Sequence, residues 1–68
     1  MKQVSGKEFI KSIEKHGWKL DRVKGSHYHF IKPSVKIILT VPVHGNKPLK
    51  PGTLGKLLNR AGLTTDDL

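Results

Sequence analysis

The chain contains no cysteine. Disulfide bridges and thiolate-ligated zinc are therefore both excluded, and the core must stand without either staple. Acidic residues are scarce: Glu8, Glu14, Asp21, Asp66 and Asp67 are all there are. Two-metal nuclease chemistry needs clustered carboxylates. Here two lie on one helical segment and two near the carboxyl end, so that mechanism is set aside. No stretch approaches the ~20 apolar residues of a membrane span, and the amino terminus lacks the apolar core of a signal peptide. The expected location is the cytoplasm, with no membrane partner. Aromatic residues are few, and Phe9, Trp18 and Phe30 are read as core residues, not as a platform for stacking bases.

Positive charge, by contrast, is abundant. Thirteen Lys and Arg give a formal net charge of +8 over 68 residues, which points to a polyanionic partner and first of all to nucleic acid. The cations are spread from Lys2 to Arg60 between apolar residues, as on a folded surface, and do not form the single block of a disordered tail. A core this small leaves room for one domain, residues 1–68.

Local signals give the element order. Ser5 and Glu8 match the capping box that opens a helix, with Val4 and Phe9 placed as a hydrophobic staple. Phe9, Ile10 and Ile13 make the apolar face of that helix, and Gly17 supplies its left-handed stop. From Trp18 to Val23 the sequence alternates as a half-buried strand does. His27 to Lys32 reads as a second strand and Val35 to Val41 as a third, separated by the turns Lys24-Gly25-Ser26 and Pro33-Ser34. Pro51 suits the first turn of a second helix, whose stripe is Leu54, Leu57, Leu58 and Ala61 and whose end is Gly62. Thr64-Thr65-Asp66-Asp67 has the composition of a further helix start, expected to be incomplete and frayed. The expected fold is α+β in the order α-β-β-β-α, with a three-stranded antiparallel sheet carrying both helices on one face and the other face left open.

Chemistry concentrates in Gly25-Ser26-His27-Tyr28-His29-Phe30, where two imidazoles at i and i+2 share one face of a strand. Histidine can take a proton from one oxygen and give one to another near neutral pH. Metal-free RNA cleavage needs that exchange: a base for the 2'-hydroxyl, an acid for the leaving 5'-oxygen, and cations for the charge that develops on the phosphate. His27 is the expected catalytic residue. Arg22, Lys24, Ser26 and His29 are the expected RNA contacts around it, with Arg22 and Lys24 brought near by the hairpin. An isolated histidine is more often a surface residue satisfied by local hydrogen bonds; the glycine turn, the pairing and the charge shift that balance. A metal site at His27 and His29 would need a third ligand such as His44 to fold back, and no metal is expected.

Three further cations are candidates for RNA contact. Lys47 lies in Val41-Pro42-Val43-His44-Gly45-Asn46-Lys47, and Lys50 and Lys56 flank the start of the second helix, where exposed N–H groups favour an anion. His44 in that loop is read as part of a connection stiffened by Pro42 and Pro48, not as a functional group. His16, in the last turn of the first helix, is read as structural.

Taken together, Gly25-Ser26-His27, Val41-Pro42-Val43-His44-Gly45-Asn46, Lys50-Pro51-Gly52-Thr53-Leu54 and Ala61-Gly62-Leu63 make the chain resemble the HicA family of toxin-antitoxin mRNA interferases over nearly its whole length. The sequence departs from the commoner family pattern by placing Tyr28 between the two histidines. The resemblance implies a double-stranded-RNA-binding-domain-like fold, His27 as the catalytic histidine, and a HicB-type antitoxin that covers the active surface. It also implies an mRNA substrate and no small-molecule cofactor, and the free toxin is expected to be monomeric. The alternative is a non-catalytic RNA-binding module of the same fold, since such a domain can read A-form shape without cutting. A protein-interaction subunit whose charge only matches an acidic partner is the third possibility.

Overall fold

The computed structural model describes residues 3–68. Helix α1 spans Gly6–Lys15, strands β1, β2 and β3 span Lys19–Lys24, His27–Lys32 and Val35–Pro42, and helix α2 spans Pro51–Ala61. The strands form one antiparallel sheet in the order β1-β2-β3, so the α-β-β-β-α order expected from the sequence is the order found.

The capping box closes as the sequence predicts: Glu8 N donates to Ser5 Oγ at 3.2 Å and Ser5 N donates to Glu8 Oε1 at 3.1 Å. Gly17 ends the helix with φ 96°, a backbone conformation that costs glycine little, and Trp18 N reaches back to Ile13 O. Gly62 does the same for α2 with φ 73°. Alternation then sorts the two sheet faces. Phe30, Leu39 and Val41 point to one side and join Phe9 and Ile13 of α1 and Leu54, Leu57, Leu58 and Ala61 of α2 in a single apolar cluster. Both helices therefore cover the same face. Burying each large side chain there contributes ~1.5–3 kcal/mol, which is how a core without covalent staples holds.

Both helices pack chiefly against β3, and β1 lies at the far edge of the sheet. For that reason β1 is not the half-buried strand that alternation predicts. Every residue from Lys19 to Lys24 is exposed, Leu20 at 49% and Val23 at 48%. A bulge at Asp21, between the pairs Leu20–Phe30 and Arg22–His29, also breaks the expected alternation. Trp18, just before the strand, is the residue that enters the core; its indole Nε1 is buried with no hydrogen-bond partner among the described residues, while the Lys32 ammonium sits 5.9 Å from the ring centroid.

A second correction concerns the carboxyl end, which is not frayed. Thr65–Asp67 forms a 3-10 turn, Thr64 N donates to Asp67 Oδ2 at 2.8 Å, and Leu68 packs against the core. His16 helps to hold it: Nδ1 donates to Ser12 O at 2.8 Å, and Nε2 lies 3.7 Å from Asp67 Oδ1. The amino-terminal segment is tied to the loop before α2, through Leu49 N to Val4 O at 2.7 Å and the isolated bridge between Ser5 and Pro48. Gly6 is pressed against β3 so closely that a Cβ there would meet Pro42 O at 2.5 Å.

Candidate nucleic-acid interface

The open face of the sheet is built by register. In the β1–β2 ladder Arg22 pairs with His29 and Lys24 with His27; in the β2–β3 ladder His29 pairs with Thr40 and His27 with Pro42. Partners across an antiparallel ladder point to the same side with Cβ atoms ~4.5–5.5 Å apart. Tyr28 and Phe30 face the core side, so His27 and His29 face away from it, together with Arg22 and Lys24. Two imidazoles and two permanent cations thus share one solvent-facing patch. The bulge at Asp21 is what brings Arg22 into that set: with an extra residue in β1, Arg22 falls opposite His29.

The two histidines differ in freedom. His29 is half-buried, and its Nδ1 lies 3.0 Å from Thr40 Oγ1, so its ring is tied across the sheet. His27 is exposed and, among the described residues, its ring makes no hydrogen bond. Ser26 is half-buried, and its carbonyl accepts from Val43 N at 2.7 Å, fastening the β1–β2 turn to the segment that follows β3. Ser26 thereby fixes where the reach of His27 begins.

Beyond Pro42 the patch opens into a cleft of about 480 Å³ lined by Pro42, His44, Lys47, Pro48, Leu49, Lys50 and Thr53. Lys50 is the N-cap of α2 and makes no side-chain cap, and Pro51 follows at the first position of the helix. The N–H groups of Gly52 and Thr53 have no partner inside the helix, since the first turn never does. Lys47 and Lys50 make the cleft basic, and Lys50 and Thr53 set it beside the first turn of α2, a combination that suits a phosphate. Lys56 is exposed on α2 and is not among the side chains lining the cleft. Among the described residues no three His, Asp or Glu side chains come together as a metal site, so His44 does not join His27 and His29 as a third ligand.

The sequence pattern of the family described as HicA toxin of bacterial toxin-antitoxin matches residues 6–63. The chain belongs to the HicA toxin family. The matched stretch runs from the first residue of α1 past the end of α2 and so takes in all five main elements. As a HicA toxin, the protein is the toxin member of a toxin-antitoxin pair, and the family consists in general of endoribonuclease toxins. No curated protein matches the chain. No helix among the described residues is long and apolar enough to cross a membrane.

The sheet brings the sequence-predicted residues Arg22, Lys24, His27 and His29 onto one face. Lys47 and Lys50 lie in the adjoining cleft. Sequence reasoning assigns no site role to Thr40, Pro42 or Thr53, although the first two stand opposite His29 and His27 and the third lines the cleft. The signal for Thr40 and Pro42 is the pairing of β2 with β3, which depends on how the Pro33-Ser34 turn sets the register; Thr53, on α2, has no such signal.

Proposed function

We propose that this toxin is a metal-independent endoribonuclease that cleaves mRNA, with His27 as a general acid or base, and that a HicB-type antitoxin silences it by covering the open face. The observation that carries this reading is the placement of an exposed, unencumbered imidazole opposite Lys24, with the Arg22–His29 pair one step along the same ladder. The cations would hold the scissile phosphate and offset the charge that builds on it in the transition state. The 2'-oxygen of the ribose attacks phosphorus, the P–O5' bond breaks, and the products are a 2',3'-cyclic phosphate and a 5'-hydroxyl. DNA, which lacks the attacking hydroxyl, would bind but not react.

Each proposed RNA contact has a place in this scheme. Arg22, Lys24 and His29 would grip the strand over the sheet, Ser26 would fix the turn, and Lys47 and Lys50 would take a neighbouring phosphate in the cleft. Lys56, on the outer surface of α2, would add charge that draws the polyanion in. An antitoxin that presents acidic groups to the same face would compete with RNA for these cations, in the cytoplasm where mRNA is translated.

The test is to incubate the purified protein with a defined RNA in excess chelator and to identify the fragment ends. The expected result is cleavage with cyclic-phosphate ends. His27→Ala should slow cleavage ~100- to ~10,000-fold while leaving RNA affinity largely intact. Intact RNA at every enzyme concentration, with binding retained, would instead assign a non-catalytic RNA-binding module, and cleavage abolished by chelator would overturn metal independence.

A further inference from the structure

Cleavage of the kind proposed above needs two proton transfers, and His27 supplies one of them. We infer that His44 is the second proton carrier, an inference that rests on the endoribonuclease reading. Pro42 is the ladder partner of His27, and His44 follows two residues later. The hydrogen bond from Val43 N to Ser26 O extends the pairing one step past His27. Val43 is buried while Pro42, the last residue of β3, and His44, two residues beyond it, both line the cleft, so His44 emerges on the side that Pro42 and His27 share. Diagonal neighbours across an antiparallel ladder lie ~7–8 Å apart. Imidazoles at that spacing can flank a single phosphodiester, one within hydrogen-bond reach of the attacking 2'-oxygen and the other of the leaving 5'-oxygen.

His29 is the competing candidate, since it too faces the open side. Its ring is half-buried and bound to Thr40, and it lies along the middle strand with His27. His44 instead is exposed and stands where the sheet face passes into the cleft. A strand of RNA laid from the Arg22–His29 pair toward Lys47 and Lys50 passes between His27 and His44. The groups that face this passage are Lys24 beside His27 and Lys47 and Lys50 along the cleft; none of the cleft-lining residues is acidic. One imidazole takes the 2'-hydroxyl proton as the P–O2' bond forms, and the other gives its proton to the 5'-oxygen as the P–O5' bond breaks. Exchange with water then restores both.

The experiment measures single-turnover cleavage against pH for the wild-type protein, His27→Ala, His44→Ala and His29→Ala. Each is assayed on an ordinary RNA and on one carrying sulfur in place of the bridging 5'-oxygen at the cleavage site. Sulfur leaves without needing an acid. A bell-shaped wild-type profile is expected, with His27→Ala and His44→Ala each slowed ~100- to ~10,000-fold and each losing a different limb. The sulfur substrate should restore the rate of one of these two variants and not of the other. RNA affinity of His44→Ala, read by fluorescence anisotropy, should stay within about threefold of wild type, since its role is proton transfer.

Retention of both limbs by His44→Ala, rescue of neither variant by sulfur, or loss of a limb in His29→Ala in place of His44→Ala would overturn the inference while leaving the endoribonuclease reading intact. Failure of the wild-type protein to cleave either substrate would overturn both.

Discussion

The two faces of the sheet divide the labour of this protein. One face carries Phe30, Leu39 and Val41 under both helices and holds the fold together. The other carries Arg22, Lys24, His27 and His29 and, apart from the His29–Thr40 contact, contributes little that the fold needs. The same contrast appears along the sheet. β3 is pinned by both helices, whereas β1 is exposed along its whole length and serves mainly to set cations opposite the histidines. The strand that this small domain leaves outside its core is available for contact with a partner.

The contrast can be broken or sharpened by substitution. The largest effect on stability is expected for Leu39→Ala, which empties a fully buried site and should cost ~2–5 kcal/mol by denaturant unfolding. His27→Ala, slowed in cleavage as above, should unfold at the same denaturant concentration as wild type; a joint loss of activity and stability would mean that the open face is also structural. Gly6→Ala should cost ~1–3 kcal/mol, because its methyl group meets the backbone carbonyl of Pro42 and either α1 or the end of β3 must move. Only a small effect is expected for Leu20→Lys, which should change stability by less than ~0.5 kcal/mol. A loss above 1 kcal/mol there would show that β1 is covered in solution, contrary to its 49% exposure at Leu20.

Much of this was legible in the sequence because the deciding interactions are local. The Ser5–Glu8 box spans four residues, Gly17 and Gly62 each act within one turn, and the alternation of β2 and β3 reports directly on the core they face. The misreadings arise where distant parts meet. Alternation in β1 implied a buried face, but whether a helix reaches that edge depends on tertiary packing, and the bulge at Asp21 leaves no mark in composition. The order of the carboxyl end depends on His16 and on Leu68 docking to the core, contacts made across the whole chain. At the candidate site, the pairing of Arg22 and Lys24 with the histidines could be anticipated from the short hairpin. The place of His44 on the cleft wall could not, because it follows from the register of β2 on β3 and from the bond between Val43 and Ser26.

The loop from His44 to Pro48 is bracketed by two backbone bonds, Val43 to Ser26 on one side and Leu49 to Val4 on the other. Its ends are therefore fixed when the chain folds, and much of its freedom is spent before any ligand arrives. A polyanion that settles into the cleft meets a preorganised rim, so the ordering cost that usually weakens loop-mediated association is small here. Lengthening this loop by a few residues would leave the sheet and helices undisturbed, yet should show itself as faster ligand dissociation.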